Sequence, residues 1–320
     1  MIHLITIIIP MFNEEKNIKN CIRSLTGQSM QDFSVIFIDD GSTDNTLNAL
    51  KNYLKQEKPL FSFTILQQKN QGAAKAREYA IRHCDTLYAL IFDMDDHISP
   101  DTIEKTLNTI SNYSHDISLP NLDIQQKNGY YNALHYPDDQ QQYSGQDALK
   151  YTLGKWQIPG VMCARTDIFL KSYDLYKKYN PSELNFMNND EVISRLNFYH
   201  SDSVIRNNST YYYQNNPEST TKKINPNRYL MGNNTKILYR LFGKNMGAIS
   251  QNMQEEYINV LWGLIKYARK NKDNLPNYHE WIEQIKDMIL FIRPDLKNFK
   301  LTTFKMKSRL WCSLLLVKFL

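Results

Sequence analysis

Cysteine is sparse and scattered: Cys21, Cys84, Cys163 and Cys312 lie far apart in 320 residues, with no pair at metal-ligand spacing. That excludes a zinc ribbon and a disulfide framework, and fits a reducing, cytoplasmic compartment. Glycine and proline are few, 11 each, so long flexible linkers are not expected. No internal repeat stands out. No apolar run reaches the roughly 20 residues that a membrane-spanning helix needs. The nearest, Leu310 to Val317, is too short. The opening Met1-Ile2-His3-Leu4-Ile5 lacks the basic start of a signal peptide and runs straight into a strand pattern. No Gly-x-Gly-x-x-Gly follows that strand, which disfavours a dinucleotide-binding fold.

The chain does have the composition of a folded protein, 42% hydrophobic and 22% charged. Its net charge of +5 is unevenly spread. From Lys222 onward there are 18 Lys and Arg against 7 Asp and Glu; before it, 20 against 26. A basic back half suits an anionic partner such as a membrane surface or a phospholipid-linked substrate. A nucleic-acid partner is not expected, because no recognised motif accompanies the charge.

Apolar runs at Leu4–Pro10, Phe33–Ile38, Phe61–Leu66 and Thr86–Phe92 read as strands. Helical patterns separate them. Asn13 is placed to cap the first helix, with Glu14 and Glu15 in its first turn and Ile18, Cys21, Ile22 and Leu25 facing inward. Thr43 or Asp44 can cap the second, and Gly72–Arg82 forms the third. Such alternation predicts an α/β fold with a parallel sheet covered by helices, in which ligands sit beyond the carboxyl ends of the strands. After a further helix at Ile103–Ile110, Asn128-Gly129 signals a hairpin between 116–125 and 130–135. Ile158–Ala164 and Val204–Tyr213 read as strands, and the chain beyond about Asn225 as helical.

The polar clusters fall at the strand ends: Asn13-Glu14, Asp39-Asp40-Gly41-Ser42 and Asp93-Met94-Asp95-Asp96. Three carboxylates that close repel unless a cation lies among them, and a divalent metal bound to a phosphorylated ligand would supply one. The Gly and distal Glu of an EF-hand are missing.

The ordered set is more specific than any member of it. Ile5-Thr6-Ile7-Ile8-Ile9-Pro10-Met11-Phe12-Asn13-Glu14 is followed by Val35-Ile36-Phe37-Ile38-Asp39-Asp40-Gly41-Ser42-Thr43-Asp44. Asn70-Gln71-Gly72-Ala73-Ala74-Lys75-Ala76-Arg77 and Phe92-Asp93-Met94-Asp95-Asp96 come next. In that order the chain resembles the family 2 glycosyltransferases of bacterial polysaccharide and capsule assembly. The likeness is strong over the first third and looser to about Lys223.

The resemblance implies a GT-A fold, Rossmann-like with a mostly parallel central sheet, over 1–224, divided into a nucleotide-sugar half (1–115) and an acceptor half (116–224). A basic helical extension, 225–320, would follow. It implies inverting transfer of a hexosyl or N-acetylhexosaminyl group from a nucleotide-sugar, usually a UDP-sugar, to a glycan or lipid-linked glycan. Pro10, Phe12 and Glu14 would line the nucleotide pocket, with Asp39, Asp40, Gly72, Arg77, Asp93 and Met94. Asp95 would be the direct ligand of Mg²⁺ or Mn²⁺, with Asp93 and Asp96 beside it. Asp190 takes the general-base position in Asn188-Asn189-Asp190-Glu191, and Glu191 and Trp156 fall on the acceptor side. The family's Asn after the Arg is Glu78 here, the residue before the base is Asn189 rather than Glu, and in Tyr211-Tyr212-Tyr213-Gln214, which resembles the family's Tyr-x-Tyr-Arg segment, Gln214 replaces the Arg. Lys222 or Lys223 could close over a diphosphate, or be a solvated loop. A nucleotidyltransferase is the first rival, disfavoured because no Gly-rich basic loop follows the first strand. A non-catalytic carbohydrate- or nucleotide-binding protein of the same fold is the second.

At the C-terminal end, Lys305, Lys307, Arg309 and Lys318 alternate with Phe304, Leu310, Trp311, Leu314, Leu315 and Phe319. This helix either lies on the inner face of the cell membrane or docks on the protein with its basic edge in water.

Overall fold

The computed structural model describes residues 3–111, 115–126, 128–129, 131–214 and 224–316. Lys222, Lys223, Lys318 and Phe319, and the hairpin's Tyr130, lie outside them. The described chain forms β1 (Ile5–Met11), α1 (Ile18–Thr26), β2 (Ser34–Asp39), α2 (Thr46–Glu57), β3 (Ser62–Gln67), α3 (Ala73–Arg82) and β4 (Tyr88–Ile91). Next come β5 (His97–Ile98), α4 (Thr102–Ile110), β6 (Ile117–Gln125), β7 (Tyr131–Ala133), β8 (Gln142–Ser144), α5 (Gly145–Thr152), β9 (Cys163–Arg165), α6 (Thr166–Tyr179), α7 (Asn189–His200) and β10 (Ser203–Tyr213). Four helices end it: α8 (Met231–Phe242), α9 (Ala248–Lys270), α10 (Tyr278–Ile292) and α11 (Phe304–Leu316).

The strands make one sheet in the order β3-β2-β1-β4-β9-β6-β10-β5, with β7 on β6 and β8 on β10. β3, β2, β1 and β4 are parallel. β1 is buried at all seven positions, as an interior strand covered on both faces must be, and its Ile-rich sequence meets that demand. β3 ends the order and is largely exposed. Pairing of Met11 with Asp39, and of Asp39 with Gln67, brings the carboxyl ends of β1, β2 and β3 level. The Phe92 N–H donates to the Ile8 carbonyl at 2.9 Å, so the acidic loop leaves β4 at the same edge. Helix faces complete the core: Ile18, Cys21, Ile22 and Leu25 of α1 pack with Leu50 and Leu54 of α2.

The expected strands and helices of the first third are present, but Asn13 does not cap a helix. α1 starts at Ile18, with no acid in its first turn. Asn13 instead has φ +58°, and its Oδ1 accepts from the Thr43 N–H at 2.8 Å and the Asp44 N–H at 3.3 Å. It ties the loop after β1 to the loop after β2, a use open to Asn because its short amide tolerates the left-handed region. Asp44 does accept from the Thr46 N–H, at 3.0 Å. The hairpin also holds: β6 and β7 pair antiparallel around Gly129, whose φ is +84°. The strand expected at Ile158–Ala164 shrinks to Cys163–Arg165, since Pro159 offers no N–H to a ladder.

Contacts divide the chain into two units. The sheet and its helices form the first, comprising 1–148, 157–185 and 193–216. The second comprises 217–320 with two earlier segments, 149–156 and 186–192. No described helix is long and apolar enough to cross a membrane.

All four cysteines are free. Cys21 and Cys163 are buried, and burial pushes both thiols well above their ordinary pKa. In native protein a thiol-reactive chromogenic disulfide should therefore leave these two unmodified, and both should react after unfolding in guanidinium. Rapid native modification of either would contradict the packing described.

Candidate active site

Four loops leave the carboxyl ends of β1, β2, β3 and β4, and the expected nucleotide and metal residues lie on or beside them. Pro10 is buried in β1, whereas Phe12 just beyond is 44% exposed, leaving an aromatic face at the strand edge. The Glu14 N–H donates to Thr46 Oγ1 at 2.7 Å, and its carboxylate accepts from Asn17 Nδ2 at 2.6 Å. Burial holds the Glu14 carboxyl above its usual pKa against that Asn17 bond, and the charges of Asp95 and Asp93 push it the same way.

Asp39 and Asp40 are both buried. Asp39 Oδ1 accepts from the Ser42 N–H at 3.1 Å. Asp40 Oδ1 accepts from Gln68 Nε2 (2.7 Å) and the Gln71 N–H (2.9 Å), and its Oδ2 from the Gly72 N–H (2.7 Å). Asp40 thus fastens the loop after β3 to the end of β2, with three of about four acceptor positions used within the protein. Gly72 opens α3 with φ +91°, and a Cβ there would sit 2.2 Å from Asn185 Nδ2. The close approach that demands glycine is made by this side chain.

Arg77 projects from α3 and its Nη2 donates to Asp93 Oδ1 at 2.6 Å. Glu78, where the family has Asn, pairs with Lys75 and Arg82 along the same helix at 3.1 and 3.0 Å. Arg82 also reaches Asp174 of α6, at 2.8 Å. The departure at Glu78 is thereby absorbed into a surface ion-pair network.

In Asp93-Met94-Asp95-Asp96 burial alternates: Asp93 and Asp95 are partly exposed, Met94 and Asp96 buried. The Met94 side chain belongs to the core, so only its backbone belongs to the loop. Asp96 accepts from Tyr211 O–H at 2.6 Å and from the Gln214 N–H at 2.7 Å. Burial lifts its pKa to about 7 against those two bonds, with Asp93 and Asp95 adding to the rise. Asp96 therefore anchors the acidic loop to β10. Tyr211 also receives the Asp93 N–H, at 3.3 Å. The resemblance marks Tyr211 as part of a Tyr-x-Tyr segment but names no partner for it; its inward position in the alternating burial of β10 is the second signal.

Among the described residues no three His, Cys, Asp or Glu side chains converge as a complete metal shell. Mg²⁺ and Mn²⁺ do not require one. Mg²⁺ commonly uses one or two carboxylates and takes its other oxygens from water and substrate phosphates. The residues fit such an ion. Asp93 and Asp95 offer hard oxygens, and their charges add to the rise that burial causes in the pKa values of Glu14 and Asp96. A cavity of about 670 Å³ lies elsewhere, bordered by His3, Leu4, Thr86 and Arg165 toward the amino ends of β1 and β4. None of Glu14, Asp93, Asp95 and Asp96 lines it.

The expected base lies in the second unit. Asp190 is exposed and Glu191 half-buried in the first turn of α7. Asn188, with φ +57°, leads into this turn and its Nδ2 donates to Glu191 at 3.3 Å. Asn234 of α8, fully buried, donates from Nδ2 to the Met187 carbonyl (2.7 Å) and to Asn189 Oδ1 (2.8 Å). Sequence reasoning missed Asn234, which only its partners distinguish from other helical Asn. Trp156, half-buried, ends the 149–156 segment of the same unit.

A mostly parallel sheet with acids and an arginine at its carboxyl edge is the arrangement of a GT-A glycosyltransferase. Solved structures agree on the fold. S. aureus TarS 1–349 in complex with UDP superposes with a TM-score of 0.67 at 18% identity, covering 98% of this chain and 87% of that one. The mannosyltransferase PcManGT from Pyrobaculum calidifontis, in complex with GDP-Man and Mn²⁺, gives 0.55 at 14%, covering 99% and 88%. The family model for glycosyl transferase family 2 matches residues 6–173, and the chain belongs to that family. Glycosyltransferase GlyG of Streptococcus pneumoniae is 25% identical over 223 residues, 67% of this chain and 71% of that protein. Chondroitin synthase of Escherichia coli is 36% identical over 116 residues, 36% of this chain but 16% of that protein. The chain likewise spans 41% of an uncharacterised Haemophilus influenzae glycosyltransferase.

Two substitutions test the architecture of the site. Tyr211→Phe removes a hydrogen bond to a buried carboxylate and should destabilise the protein by about 1.5–3 kcal/mol in urea unfolding. Asn234→Ala should cost about 1–3 kcal/mol by the same measurement while far-UV helix content is kept, because buried acceptors at the start of α7 lose their donor.

Proposed function

We propose that the chain is an inverting, metal-assisted glycosyltransferase. It moves a hexosyl or N-acetylhexosaminyl group from a UDP-sugar to a hydroxyl of a glycan or lipid-linked glycan in bacterial polysaccharide or capsule assembly. The observation that carries the reading is the placement of Arg77, Asp93, Asp95 and Glu14 around one excess of negative charge at the sheet's carboxyl edge. The nucleotides held by TarS and PcManGT, and the Mn²⁺ held by the latter, support it.

In this reading Phe12 offers the wall for the base, beside Pro10. Asp39, Asp40 and Gly72 set the loops that receive the nucleoside, and Arg77 holds Asp93 in place. Asp95 is the direct ligand of Mg²⁺ or Mn²⁺, with Asp93 beside it and Asp96 supporting the loop from beneath. When bound, the ion is a Lewis acid that neutralises charge on the departing diphosphate. Asp190 accepts the proton from the acceptor hydroxyl as its oxygen attacks the anomeric carbon opposite the leaving group, which inverts that centre. Glu191 and Trp156 take the acceptor side.

A screen of nucleotide-sugars for slow hydrolysis with Mg²⁺, Mn²⁺ or chelator identifies the donor. Hydrolysis should require the ion and peak with one UDP-sugar. Asp95→Ala should abolish metal dependence together with turnover. Asp190→Asn should lower transfer by about 10²–10⁴-fold, the usual worth of a positioned base, while UDP binding by calorimetry stays near wild type. Full transfer by Asp190→Asn would remove Asp190 from this role.

A further inference from the structure

Helix α11 packs on α9 by one side only. Leu310 and Ser313 are buried, and Arg309 donates from Nη1 to Asn259 of α9. Just before it, the Thr302 N–H donates to Glu255 of α9 at 3.3 Å. These contacts fix which way the helix faces. At 100° per residue, Phe304, Trp311 and Leu315 fall within about 40° of one another, on the side away from Ser313. They are 86%, 67% and 47% exposed. Isolated exposed apolar residues are ordinary, but three aligned on one helix, two of them large aromatics, form a stripe with nothing covering it among the described residues.

The charge around the stripe is one-sided. Asp295 is the last acidic residue; from Leu296 onward there are six Lys and Arg and no Asp or Glu. Lys297, Lys300, Lys305 and Lys307 are all exposed. Lys305 and Lys307 flank the stripe, where long stems can lie along apolar surface while the ammonium groups meet anions.

We propose that this face of α11 is a docking surface for an anionic phospholipid bilayer. Phe304, Trp311 and Leu315 enter the interface between headgroups and acyl chains, and the surrounding lysines meet lipid phosphates. A second copy of the chain is a poorer occupant, because it would set two acid-free basic surfaces against each other. A nucleic acid would use the lysines but leave the aliphatic and aromatic stripe uncovered. The inference stands apart from the proposed sugar donor and base, since vesicle binding is read without turnover.

The test is co-sedimentation of the full chain with vesicles of phosphatidylglycerol and phosphatidylcholine against phosphatidylcholine alone. Three variants accompany it: Phe304→Ser/Trp311→Ser/Leu315→Ser, Lys305→Glu/Lys307→Glu, and Leu60→Ser as an exposed apolar control on the other unit (85% exposed). Binding should require the anionic lipid, weaken with salt, and fall at least tenfold in the first two variants but not in Leu60→Ser. All three variants should keep the wild-type thermal midpoint within a few degrees, since they alter only exposed side chains. Equal pelleting with both vesicle types would overturn the proposal. So would unchanged binding in the stripe variant, or a concentration-dependent dimer that the stripe variant abolishes.

Discussion

The ion pair between Arg77 and Asp93 is the contact around which the carboxyl edge of the sheet is arranged. It joins α3 to the end of β4 and offsets one of several acids gathered there. The remaining acids stay close because each is held separately. Asp96 is held by Tyr211 and Gln214, and Glu14 by Asn17 and Thr46. Acids fixed within one loop region raise one another's pKa values, on top of the rise that burial causes in Glu14 and Asp96.

A second set of contacts keeps the loops from collapsing into that charge. Asn13 bridges to the loop after β2, Asp40 to the loop before α3, and Gly72 takes a φ of +91° with the Asn185 side chain close against it. Residues that look like ligand contacts in sequence thus also serve as struts between loops. The two uses are compatible, because a strut that fixes a loop also fixes the backbone groups and side chains beside it.

The alternating strands and helices of the first third were legible because β-branched runs and helical spacings are local and strong there. The end of β1 was read less well. Asn13 carries the composition of a cap, and only its register against Thr43 and Asp44 reveals the bridge. Pro159 shortened β9 although the run around it is apolar. Met94 sits in the middle of the acidic motif, yet its side chain belongs to the core. Tyr211 was legible as part of a family-like Tyr-x-Tyr segment but its partner Asp96 was not, and Asn234 was invisible as a site-building residue, because those partners lie more than a hundred and about forty-five positions away.

The sequence by itself determined the family, the sheet's parallel half and the acids at its edge, since each rests on neighbours within a few residues. It also determined the basic, acid-free end of the chain, which is composition. Only the tertiary structure decided which acid meets Arg77, which is buried under Tyr211, and which residues of α11 face outward. Those outcomes depend on register and packing between segments distant in the chain, and no local pattern encodes them.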